Sequence, residues 1–115
     1  MPTVARAFPI LPGKVDEFVE LAREAQARPG EFNEFYARYG ARHETWHLQE
    51  GPHGNWLIAV AELGERPAEE VSSEYGRSQH AFDTWLKGRV RDLTGIDLDQ
   101  QPLGPPTRCI YDSRG

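Results

Sequence analysis

A single cysteine, Cys109, stands in 115 residues, so no disulfide can close within the chain and stability has to come from packing. That scarcity fits a reducing compartment, and the cytoplasm is the expected setting. Cations are short as well. Thirteen Lys and Arg face eighteen Asp and Glu, a net charge of −5 at pH 7, the wrong sign for a surface that neutralises phosphates. Nucleic acid is therefore not an expected partner. No apolar run approaches the roughly 20 residues that a membrane-crossing helix needs. Residues 1–11 carry neither the long apolar stretch nor the cleavage site of a signal peptide. No membrane partner is expected. Glycine-rich nucleotide loops, the G-x-S-x-G elbow, H-E-x-x-H and C-x-x-C are all missing, which argues against nucleotide cofactors, hydrolase chemistry of that type and a motif-built metal site. The residues imply no cofactor.

What is present suits one soluble domain spanning residues 1–115. Hydrophobic residues make up 38% and aromatic ones 10%, too much for a disordered chain. Residues 3–10 alternate, with Val4, Arg6, Phe8 and Ile10 on one side, as in a strand with one demanding face. Pro12 and Gly13 turn the chain, and Val15, Phe18, Val19, Ala22 and Ala25 then recur at helical spacing up to Ala27. After the break at Pro29-Gly30, Phe32, Phe35, Tyr36 and Tyr39 predict a second helical piece ending near Gly40. Residues 42–49 and 56–63 flank a turn-rich stretch and read as a β-hairpin, whose second strand is apolar on both faces. Pro67 opens a helical region carrying Val71 and Tyr75. Gly76 interrupts it, and Phe82, Trp85, Leu86, Val90 and Leu93 predict a further helix with Ser78 as its cap. The proline-rich residues 101–106 lead to a last short strand at 107–111.

The expected order, strand, helix, strand, strand, helix, strand, is the split βαβ arrangement of an α+β ferredoxin-like antiparallel sheet with helices on one face. Three stretches carry a resemblance: Gly40-Ala41-Arg42-His43-Glu44-Thr45-Trp46-His47-Leu48-Gln49, Gly54-Asn55-Trp56-Leu57-Ile58, and Ser78-Gln79-His80-Ala81-Phe82-Asp83-Thr84-Trp85. They resemble a family of small uncharacterised proteins within the dimeric α/β-barrel superfamily. The resemblance implies a homodimer formed through the sheet face, which would cover the second apolar face of the hairpin strand. It also implies a small-molecule ligand held between sheet and helices. The superfamily includes cofactor-free monooxygenases, small-molecule isomerases and decarboxylases, and haem-binding enzymes, so the fold alone chooses no activity.

Several constellations carry chemistry. His43 and His47 stand four apart on a strand, about 13 Å of chain, too far to share one ion. They read instead as part of a polar strand face with Thr45 and Gln49, from which His47 alone remains an acid or base candidate. Pairing Leu48 beside Ile58 and Trp46 beside Val60 would gather Glu44, Trp46, Leu48, Trp56, Ile58, Val60 and Glu62 on one face. Arg6, on an otherwise apolar face, reads as the partner of a carboxylate such as Glu44 or Glu62, or as an anion or enolate clamp. His80 and Asp83, three apart at a helix start, are either an oriented general base or a surface histidine beside a helix-bracing acid. Trp46, Tyr36, Tyr39, Phe82 and Trp85 form either core or ligand walls, and Tyr75 would add a hydroxyl to any pocket it lines. Cys109 reads as a buried filler, and Lys87, Arg89 and Arg91 as a solvated helix face.

The expectation is a small-molecule-binding protein. As an enzyme it would act without a cofactor, in monooxygenase or isomerase fashion, on an aromatic or carbonyl metabolite. His80 or His47 would then move the proton, with Asp83 orienting and Arg6 stabilising charge. Alternatives are a non-catalytic binding or regulatory module, or a haem enzyme with His43, His47 or His80 as axial ligand.

Overall fold

The computed structural model describes residues 3–100 and 107–115. The alternating N-terminal segment forms strand β1 (Thr3–Pro9), and helices α1 (Val15–Ala27) and α2 (Pro29–Tyr39) follow. Strands β2 (Ala41–Gly51) and β3 (Gly54–Leu63) make the hairpin, and α3 (Ala68–Arg77) and α4 (Ala81–Thr94) complete the order. The result is an α+β domain with a three-stranded antiparallel sheet in the order β1-β3-β2 and four helices among the described residues.

Local chemistry explains the breaks. Pro29 occupies the first position of α2, where a missing N–H costs nothing, so the chain bends at Arg28 and starts a new helix. Gly40 (φ 71°) and Gly95 (φ 78°) end α2 and α4 in the left-handed region, which a side chain would disfavour. Helix α4 is capped by His80, whose Nδ1 accepts from the Phe82 N–H at 3.2 Å; the expected cap, Ser78, instead accepts from the His80 N–H.

Register decides which side chains share a face. Gly51 opposes Gly54, so a two-residue turn joins β2 to β3 and places Leu48 opposite Leu57, Trp46 opposite Ala59 and Glu44 opposite Ala61. The pairing expected from sequence would need one more residue in that turn. Its absence shifts β3 by one place and exchanges its faces. Trp56, Ile58, Val60 and Glu62 therefore lie opposite to Glu44, Trp46 and Leu48, not beside them. On the other edge, Arg6 opposes Ala59, Val4 opposes Ala61 and Phe8 opposes Leu57.

The face carrying Val4, Arg6, Phe8, Leu57 and Trp46 meets the helices. Ile10, Phe18, Leu21, Leu57 and Leu93 form one buried cluster, and Phe32, Phe82 and Leu86 a second, with Trp46 and Trp85 packed against both. The opposite face is open: Trp56 is 41% exposed, and His43, His47 and Gln49 are exposed beside it.

Three expectations are corrected. Residues 107–111 form no strand; the Thr107 N–H donates to the Ala5 carbonyl at 3.0 Å and the rest of the segment is exposed. Cys109 is accordingly exposed, not a buried filler. Lys87 is buried, not solvated: its ammonium donates to the carbonyls of Gly76 (3.1 Å) and Ser78 (2.9 Å) and to Asp99 (2.6 Å), tying the end of α3 to the segment after α4. The proline-rich stretch at 101–106 lies outside the described residues. No helix among the described residues is long and apolar enough to cross a membrane.

Candidate functional site

The pleat of β3 points two alanines, Ala59 and Ala61, toward the helices at the centre of the sheet. Their neighbours in the same rows are all larger: Arg6 and Trp46 flank Ala59, and Val4 and Glu44 flank Ala61. Small residues between large ones leave a hollow, and a cavity of about 170 Å³ opens there beneath α2 and α3. A void of about 150 Å³ is enough for a benzene ring. The walls are mostly apolar, and the residues along them that carry a polar side-chain group are few: Arg6, Tyr36, Tyr39, Glu44, Trp46, Ser72 and Tyr75.

Glu44 and Trp46 are two apart on β2 and so point the same way. The indole N–H of Trp46 donates to Glu44 Oε1 at 2.7 Å, and the Tyr36 hydroxyl, from α2, donates to the same oxygen at 3.1 Å. No hydrogen bond to Oε2 is formed among the described residues. Burial pushes the Glu44 carboxyl above the usual carboxylate range, outweighing the two donors that favour its anion. Burial also drives the Tyr36 hydroxyl upward, with the charge of Glu44 adding to it. The Tyr75 hydroxyl is raised chiefly by burial, and then by the negative charge of Asp83, Tyr39, Glu44 and Asp99. It makes no hydrogen bond among the described residues. Across the cavity, Arg6 Nη2 donates to Ser72 Oγ at 2.7 Å, and burial lowers the guanidinium from its ordinary value. Arg6 shares its face with Glu44 but not with Glu62, and Glu44 takes its hydrogen bonds from Trp46 and Tyr36.

Asp83 belongs to a different network. Its carboxylate is fully buried and takes a bidentate pair from Arg38, at 2.7 and 3.0 Å, and the Tyr39 hydroxyl at 2.5 Å. Burial alone would raise this carboxyl; the bonds from Arg38, Tyr39 and Ser78 outweigh it and hold the group below its ordinary value. Asp83 thereby clamps α4 to α2. It does not orient His80, whose ring is engaged as the α4 cap, is exposed, and lies 3.9 Å from Glu34. His47 bonds Thr45 Oγ1 at 2.9 Å on the open face of the sheet. The two expected proton-transfer histidines thus lie outside the cavity and apart from Asp83, and a haem held by His43, His47 or His80 would lie outside it too.

Of the residues expected to hold a ligand, Trp46, Tyr36, Tyr39 and Glu44 come together at the cavity, with Arg6. Phe82 and Trp85 do not line it. They pack on Phe32, at 5.0 and 6.4 Å between ring centroids, and Trp85 lies 4.4 Å beneath the Arg28 guanidinium. Ser72 and the paired alanines escaped the sequence reading. Ser72 and Tyr75, three apart on α3, share a helix face, which is the signal that could have joined them. Among the described residues no group of three His, Cys, Asp or Glu could hold a metal ion. Compared with protein-family models and with curated proteins, the chain matches none.

Proposed function

We propose that this protein binds a small, largely apolar molecule bearing a carbonyl or aromatic group in the cavity between its sheet and helices. One observation carries the reading: a mostly apolar hollow with a few convergent polar groups, three of them in the hydrogen-bonded cluster of Glu44, Tyr36 and Trp46. Turnover without a cofactor would use the same groups, since a buried carboxyl and a guanidinium flank the space where a carbonyl would lie. The test is a thermal-shift screen of the full chain with single-ring ketones, esters and aldehydes at millimolar concentration. A ligand that binds the folded state alone raises its melting temperature, by several degrees at about 100 times its Kd. A flat response across the panel would overturn the reading.

For the assembly, we infer a ferredoxin-like sheet that pairs with a second copy through its open face. The order β1-β3-β2 supports this, as does Thr107, whose bond to Ala5 lies on the side of β1 away from β3, where a fourth strand would run. Trp56, Ile58 and Val60 form an apolar row there, and two such rows facing each other across a two-fold axis cover both. Light scattering at tens of micromolar is expected to give twice the chain mass, and Val60→Glu, which places a charge in the row, to return it to the single-chain mass. A wild-type monomer would remove this assembly and leave the cavity reading untouched.

A further inference from the structure

Among the described residues Glu44 is the one carboxyl that meets the cavity, and its two oxygens are used unequally. Oε1 accepts two hydrogen bonds, from an indole N–H and a phenol. The carbonyl oxygen of a carboxylic acid accepts well, whereas its hydroxyl oxygen is the donor. Both acceptor duties on Oε1 therefore leave Oε2 as the place for a proton. Among the described residues neither Oε2 nor the Tyr75 hydroxyl makes a hydrogen bond, and both residues line the cavity. We propose that Glu44 meets its ligand as a neutral carboxylic acid, and that its Oε2–H together with the Tyr75 hydroxyl holds the carbonyl oxygen of an uncharged aryl carbonyl compound. A protonated acid beside a tyrosine is a known way to grip a carbonyl oxygen in an apolar site, because both groups donate and neither carries charge into the cavity.

The surroundings support a donor role. The titratable or charged groups that other elements turn toward Glu44 are Arg6 from β1, Tyr36 and Tyr39 from α2 and Tyr75 from α3, while α1, α4 and β3 present apolar residues to the cavity. The three tyrosine hydroxyls are all raised and the guanidinium keeps its charge, so among the described groups facing the cavity Glu44 is the one that changes charge as pH rises from acid. Its carboxyl is raised by burial, so the donor is complete below that raised value and is lost as pH climbs through it.

The proposal rests on the cavity being a ligand site, and the probes separate the two ideas. Acetophenone, ethylbenzene and benzylamine share a ring and a short arm, and differ in offering an acceptor, nothing or a cation. Calorimetry on the full chain at the acid end of a pH series is expected to show acetophenone binding about tenfold tighter than ethylbenzene, the worth of a hydrogen bond to a buried donor. Raising the pH should erase that preference without affecting ethylbenzene. Glu44→Gln keeps a carbonyl for Trp46 and Tyr36 and an amide N–H₂ for the ligand, so it should bind acetophenone within about twofold of wild type with no pH dependence. If Glu44→Gln does not fold, the wild-type pH profile with its ethylbenzene control decides alone. Equal affinity for acetophenone and ethylbenzene would overturn the donor and leave the cavity site standing. Preference for benzylamine, lost in Glu44→Gln, would show an ionised carboxylate and overturn it too. Binding of none of the three would overturn the donor and the cavity site together.

Discussion

Replacing Asp83 with alanine is expected to cost about 3 kcal/mol of folding stability, the low end of the range for breaking a buried, hydrogen-bonded ion pair. The carboxylate is fully enclosed, and its removal strands two donors from α2: the Arg38 guanidinium and the Tyr39 hydroxyl. The low end applies because the Arg38 side chain is 28% exposed and can recover water, whereas Tyr39, 5% exposed, cannot. Urea denaturation of Asp83→Ala, Arg38→Ala and the double variant measures the coupling directly. Strongly non-additive losses are expected, because the second substitution removes a partner that the first has already deprived. The sign with pH follows from the carboxyl being held below its ordinary value. Its contribution is present in full above the ordinary carboxylate range and is lost as pH falls toward the depressed value, so wild type should lose stability to acid more steeply than Asp83→Ala. Additive losses under 1 kcal/mol each would mean that α2 and α4 are held together by packing of Phe32 against Phe82 and not by this clamp.

Asp83 also shows where sequence reading stops. Its place at a helix start was legible, because acids favour the first turn. That it turns inward to meet Arg38, 45 residues earlier, depends on how two helices cross, and no local pattern encodes that. Lys87 is a similar case. It sits in a basic run that looks solvated, yet it faces α3 because the helix period brings it around to the same side as Asp83, and three oxygens from distant segments satisfy it. The strands behaved otherwise. Alternation placed Val4, Arg6 and Phe8 on one face correctly, and the two-sided apolarity of β3 was real, but the partner faces of β2 and β3 hung on one residue in the turn at Pro52-His53. Proline and glycine announce a turn without fixing its length, and an error of one inverts every side chain beyond it. The candidate site inherited both behaviours. Arg6, Glu44, Trp46, Tyr36 and Tyr39 were found because each is unusual for its local setting. The alanines that make room among them were not, because an alanine in a strand carries no signal until its neighbours across the sheet are known.

Those alanines give the sharpest test of where a ligand goes. Ala59→Leu is expected to abolish acetophenone binding, at least about 100-fold, while leaving stability unchanged or raised by about 1 kcal/mol. Leucine at this position points from the sheet into the cavity between Arg6 and Trp46. An overpacked core loses about 1–3 kcal/mol because side chains are forced from their rotamers. Here the added atoms enter space that is already empty, roughly 170 Å³, and gain contacts that the walls now lack. Opposite signs for stability and binding are what separate filling a site from damaging a fold. Val60→Leu supplies the control. It is the next residue on β3, faces the other side of the sheet, and changes volume without reaching the cavity, so it should leave acetophenone affinity within about twofold of wild type. Affinity retained in Ala59→Leu would place the ligand elsewhere on the protein. A matched loss of stability and binding would mean that the hollow closes in solution, and that β1 and β2 have drawn together over the two alanines.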